Sequence, residues 1–195
     1  MVRSGISYVD MAGASNNLSN EITEPFGWNF EAVHKHQSDS WNNILNRVRI
    51  YSNDYREKVR FYTNLYRAFC RNTFSDADRR WVDAAGNIQK LDDPDAVALG
   101  CDAFWNTFWN LNQVWNLIAP EWSSRWVKSQ LAMYDANGWL AKGPSGMKYI
   151  PVMVGEHEIP LLVSTYQMGI RNYDAEKMFL SLIHISEPTR RRGIS

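Results

Sequence analysis

Residues 101–119 read Cys101-Asp-Ala-Phe-Trp-Asn-Thr-Phe-Trp-Asn-Leu-Asn-Gln-Val-Trp-Asn-Leu-Ile-Ala119. Apolar side chains at Phe104, Phe108, Leu111, Trp115 and Ile118 recur at helical spacing. Trp105 and Trp109 make a second stripe, and Asn106, Asn110 and Gln113 a third that is polar but uncharged. A helix without charge after its first turn predicts burial on most sides. Asp102 falls in that first turn, where a carboxylate suits the helix dipole.

Outward from this helix the pattern stays helical. Pro120 stops it or opens the next helix, marked by Trp122, Trp126, Leu131 and Tyr134 and closed at Asn137-Gly138. Trp139 to Gly155 reads as irregular. A fifth helix covers Glu156 to Ile170, its start sliding toward Glu158 so that Pro160 lies in the first turn. Asp174 caps a sixth. Upstream, Trp41, Ile44, Leu45 and Val48 mark one helix after Phe30. Asn53 or Asp54 caps another, carrying Val59, Tyr62, Tyr66 and Phe69 with Phe61 and Leu65 beside them. Phe74 to Gly100 reads as a long loop, of the kind that often lines a site. Residues 3–9 read as a short strand, and Ala14 to Glu24 as a connector with a short helix. Successive helices of this kind suggest a bundle or a two-layer α/α toroid.

Composition narrows the function. The chain has 195 residues, enough for one compact domain, and its 21 basic and 21 acidic residues cancel. Such a balance gives no field for nucleic acid or an anionic membrane surface, and no apolar run is long enough to span a bilayer. The first ten residues lack a signal peptide's apolar core. Cys70 and Cys101 have no metal-ligand spacing and read as small core residues. Nine Trp, nine Tyr and eight Phe leave two readings open, an aromatic core or a saccharide site in which indole faces stack on sugar C–H patches.

Single motifs add little. His34 and His36 lie on opposite helix faces. Asp76, Asp78 and Asp83 fail as an EF-hand, because Trp81 and Asn87 stand where glycine and glutamate belong. Asp92, Asp93 and Asp95 make a solvated turn. Glu156 and His157 form only a weak acid–base pair, since neighbouring helical positions diverge by about a third of a turn. No pair of carboxylates stands out as a glycosidase acid and base.

The order of motifs is more telling. Val2-Arg-Ser-Gly-Ile-Ser-Tyr-Val9 and Phe26-Gly-Trp-Asn-Phe30 are followed by Trp41-Asn-Asn-Ile-Leu-Asn-Arg-Val48 and Phe61-Tyr-Thr-Asn-Leu-Tyr-Arg-Ala-Phe69. Then come Phe74-Ser-Asp76, Asp83-Ala-Ala-Gly-Asn87, Phe104-Trp-Asn-Thr-Phe108, Leu131-Ala-Met-Tyr134, Gly138-Trp-Leu140 and Gly169-Ile-Arg-Asn-Tyr-Asp-Ala-Glu-Lys177. Over residues 2–179 this series resembles an internal fragment of glycoside hydrolase family 92, the calcium-dependent exo-α-mannosidases. The resemblance implies a mainly α chain that is part of an (α/α)6 toroid, preceded by the last strand of a β-sandwich domain. Residues 1–10 would end the sandwich, 11–29 link, and 30–179 begin the catalytic toroid. It implies inverting removal of terminal α-linked mannose from N-glycans or mannans, calcium in the full-length enzyme, and export to the periplasm or cell surface.

Trp105 and Asn106 match the family's Trp-Asp-Thr-Phe motif and become the expected substrate-binding residues, with Asn106 lacking the family's charge. The family's acid, base and calcium ligands lie in later motifs, so no catalytic or metal residue is assigned here and the chain as written is expected to be inactive. A noncatalytic helical sugar-binding module and another α/α-toroid carbohydrate enzyme are the alternatives. Residues 180–190 read as the translation of a transposase-type sequencing adapter, so 180–195 are expected to be foreign to the fold and to add no core.

Overall fold

The computed structural model describes residues 1–100, 104, 107–142 and 156–186, the last three without their side chains. The chain is mainly helical, and its described strands form a single two-stranded sheet. Asp10 caps α1 (Met11–Leu18) by accepting the Gly13 N–H at 2.5 Å. A π-type turn (Ser19–Thr23) carries the chain into α2 (Glu24–Phe26), so the connector stays helical until Gly27 ends it at φ 55°. α3 (Phe30–Leu45) and α4 (Tyr55–Phe69) begin at Asn29 and Asp54, whose side chains accept the N–H of Ala32 and Arg56. They pack through Trp41 against Tyr66 (ring centroids 4.3 Å) and a Tyr62 hydroxyl donated to Val48 O.

Three expectations about secondary structure change. Residues 3–9 form no strand, because no described segment pairs with them. Side chains hold them instead: Arg3 lies over the Trp28 ring and donates to Gly27 O, and Asn17 Nδ2 donates to Ile6 O. The long loop 74–100 contains an antiparallel hairpin, β1 (Arg80–Val82) with β2 (Ile88–Lys90), in register Arg80↔Lys90. The Asp83 carboxylate folds its turn by accepting the Ala85 and Asn87 N–H groups and the Asn87 and Gln89 side-chain amides. The expected continuous helix 101–119 is interrupted. A 3-10 turn (Thr107–Trp109) and Asn110 at φ −154° precede α5 (Leu111–Ile118). Gln113 Nε2 bonds to Phe108 O, and polar side chains that bond nearby backbone compete with helix continuation.

Ala119 alone joins α5 to α6 (Pro120–Asn137), whose first residue is the proline and whose end is Gly138 in the left-handed region at φ 74°. α7 (Glu158–Gln167) starts at Glu158 as expected, and Asp174 caps α8 (Ala175–Ser186) by accepting the Lys177 N–H. The core is aromatic where α5 meets α6. Trp115 stacks on Trp126 (5.9 Å, 17°), with Phe104 edge-on to Trp126 and Phe69 edge-on to Trp122. α5 is buried on one side only, since Leu117 is 70% exposed while Asn112, Trp115 and Asn116 are buried. Cys70 is exposed rather than in the core. α8 runs past Phe179, with Ser181 buried and Leu182 packed on the core, so this part of the tail does contribute packing. Among the described residues no helix is long and apolar enough to cross a membrane.

Candidate functional site

Polar groups collect where the start of α7 meets the start of α5. After Gly138 the chain folds back along α6, and Gln130 clamps it. Its Oε1 accepts the Ala141 N–H at 2.9 Å, and its Nε2 donates to Ala141 O at 3.1 Å. This pair of hydrogen bonds holds the chain beside Lys142, whose side chain is 5% exposed. Lys142 Nζ pairs with Glu156 Oε1 at 2.9 Å.

Two residues on, Glu158 opens α7 and is fully buried. Neither of its oxygens finds a hydrogen-bond partner among the described residues. Burial first, and the neighbouring Glu156 carboxyl second, push its pKa up to about 8, while the Lys142 cation pulls the other way. The two carboxyl groups therefore act on each other by proximity, with burial the larger cause. Both effects favour the protonated form of Glu158.

Between them in sequence, the His157 ring lies flat against Phe108, with centroids 5.6 Å apart and planes at 9°. Eight residues beyond Phe108, Asn116 Oδ1 accepts from the Thr165 hydroxyl at 3.3 Å and its Nδ2 reaches Ser164 Oγ at 3.4 Å. Contacts at 108–157 and 116–165 show that α5 and α7 run in the same sense. Parallel neighbours need a return between them, which α6 supplies. Asn112, one turn before Asn116, faces the same seam. It is fully buried, and neither amide atom has a partner among the described residues. Glu158 and Thr165 lie seven residues apart on α7 and so share its face toward this seam.

The expected sugar-binding residues Trp105 and Asn106 lie outside the described residues. Their flanks are placed. The Thr107 N–H and hydroxyl both donate to Phe104 O at 3.0 Å, and Phe108 leads directly into the His157 stack. Sequence reasoning undervalued Glu156 and Glu158 and passed over Lys142. Pro160 was the signal, because it pins these residues to a helix start. His34 and His36 are exposed as expected. Asp76 does not serve a calcium loop. It accepts the Ser7 hydroxyl and the Asn17 amide. Among the described residues no three His, Cys, Asp or Glu side chains converge as a metal would require.

Residues 13–194 match the model of the glycosyl hydrolase family 92 catalytic domain. No curated protein sequence matches the chain. Among solved structures, a family GH92 α-mannosidase from Bacteroides thetaiotaomicron superposes with TM-score 0.81 at 23% identity, over 91% of this chain and 24% of that one. Its complex with mannoimidazole gives 0.80 at 23% identity, over 91% and 23% of the two chains. A family GH92 inverting mannosidase from the VPI-5482 strain of that organism gives 0.77 at 24% identity, over 91% and 24%. The chain thus spans about a quarter of the length of these relatives.

Proposed function

The chain belongs to glycosyl hydrolase family 92, and on that premise we propose that it is part of an exo-α-mannosidase that removes terminal α-linked mannose from N-glycans or mannans with inversion. The match of the family model over residues 13–194 carries this reading. The likeness of fold to mannosidases, one described as inverting and one seen with mannoimidazole, supports it. In this reading Trp105 offers an aromatic face to a sugar ring and Asn106 its amide to sugar hydroxyls. Periplasmic or cell-surface placement is part of the same proposal.

Inversion requires an acid and a base roughly 6.5–9.5 Å apart with a water between them. Glu158 is sealed from solvent, and Glu156 is paired with Lys142. Neither is disposed as an acid facing an open site. Calcium is proposed for the whole enzyme on the family resemblance alone. The converging carboxylates that would fit it are not found among the described residues.

The test is to assay this chain for mannose release from an aryl α-mannoside and from a high-mannose glycan, with calcium present. The expected outcome is no turnover, with binding of methyl α-mannoside retained. Turnover at the rate of a whole family member would show that the acid and base are among these residues. Failure to bind any mannoside would count against the saccharide site.

A further inference from the structure

We propose that the cleft between the β1–β2 hairpin, the second half of α6 and the turn before α8 binds an uncharged sugar unit. The inference goes beyond the mannosidase reading, and only the use of a mannoside as one probe rests on that reading.

The cleft holds about 520 Å³, within the ~300–1,000 Å³ of small-molecule sites. Its three walls are tied to one another. At the hairpin turn the Ala84 N–H donates to Asn137 Oδ1 at the end of α6. Lys128 of α6 pairs with Asp93 beyond β2, and Asp135 of α6 pairs with Lys177 of α8 at 2.9 Å. The third wall, at Asn172 and Tyr173, follows the end of α7, so the cleft lies at the opposite end of that helix from Glu158.

Its charges do not select an ion. Three lysines and four aspartates line the cleft, and two of each are already paired with one another. The walls offer hydrogen bonds over an apolar floor instead. Leu131, Ala132 and Ala136 of α6 supply C–H surface. Trp81, also in the wall, is 1% exposed, and its indole N–H, which can only donate, has no partner among the described residues. The Tyr173 hydroxyl has none either. A buried donor without an acceptor is unfavourable until something supplies one. Asp93 and Asp135 keep lone pairs beyond those that their lysines use. A ligand that both donates and accepts, carries no charge and has a C–H face answers all of these groups, and a pyranose ring is such a ligand.

The experiment follows the isotope-labelled full chain by NMR as methyl α-D-mannoside or methyl β-D-glucoside is added. Saturable shifts are expected at the Trp81 indole N–H and at the amides of Ala132, Ala136 and Lys177. Ala136→Leu fills the cleft from α6 and is expected to abolish them. Trp81→Phe keeps a ring without the donor and is expected to weaken binding about two- to tenfold, the worth of one hydrogen bond. Unchanged Trp115 and Trp126 indole signals check the fold of both variants. No saturable shift with either glycoside, or shifts that Ala136→Leu leaves intact, overturns the proposal. Equal shifts with inorganic phosphate would show an ion site and overturn it too. Mannoside binding seen only at other residues removes the cleft and leaves the mannosidase reading standing. Glucoside alone bound in the cleft supports the proposal and counts against that reading.

Discussion

Glu158 is a carboxyl whose folded and unfolded states differ in proton affinity, and that difference is a stability term. Its folded pKa is raised from an ordinary 4.5 to about 8. The unfolded chain therefore ionises first as pH rises. The stabilisation is complete below about 4.5 and is lost as pH climbs through about 8. Glu156 and Lys142 face the same group with opposite effects, so the full range is about 2–4 kcal/mol at most. Glu158→Gln keeps the shape without the titration. Urea midpoints at pH 5 and pH 8 should show the wild type losing stability between them and the variant losing much less. Equal losses would mean that Glu158 is ionised in the fold.

At the scale of the element, the amino-terminal helix is joined to the loop before the hairpin through side chains. Asp76 accepts from Ser7 and Asn17, while Arg80 links Asp10 to Asp78 at 2.9 and 2.6 Å. Gly13 sits inside this network. A Cβ there would come within 2.2 Å of Asp76 Oδ2 and 2.7 Å of Ser7 Oγ. Gly13→Ala is expected to cost about 1–3 kcal/mol, because the network must open to admit it. Gly138→Ala meets nothing within 4 Å and should cost about 1 kcal/mol, from the left-handed φ of 74° alone. Thermal melts of the two variants would separate clash from strain. Gly13→Ala as mild as Gly138→Ala would show that α1 shifts freely on its loop.

For the whole molecule, truncation is the telling perturbation. Read as sequence, residues beyond Phe179 change character and should be dispensable. The structure continues α8 to Ser186, buries Ser181 completely with its hydroxyl on Met178 O, and rests Leu182 on the core. Cutting after Phe179 removes that turn and should cost about 1–3 kcal/mol, on the scale of one apolar side chain and the helix end it closes. An unchanged melting temperature would restore the view that the tail adds nothing. At the opposite side, Val48, Phe61, Leu65, Leu111, Val114 and Ile118 line an apolar groove of about 470 Å³ between α4 and α5, beside exposed Leu117. Apolar surface of that kind favours self-association.

The sequence by itself determined the elements whose signals are local. Asp54, Pro120, Asn137-Gly138, Pro160 and Asp174 each act on the backbone within a few residues, and the helices begin or end at them. It also determined the family, because an ordered series of short motifs survives where pairwise identity to solved relatives is only 23–24%. The Asp83-Ala-Ala-Gly-Asn turn was equally local and could have been read as a hairpin, since Gly86 takes φ 89° there. The polar cluster was not local. Lys142, Glu156 and Glu158 look like ordinary surface charges in the text, and only packing puts Glu158 out of reach of water beside Glu156. Residues 108 and 157 are 49 positions apart, and nothing in either neighbourhood encodes their stacking. The break of the helix at Asn110 belongs to the same class. A periodic apolar pattern says which side of a helix is fit for burial. What covers that side, and whether the helix continues unbroken, is decided by the energies of contacts that only the folded chain makes.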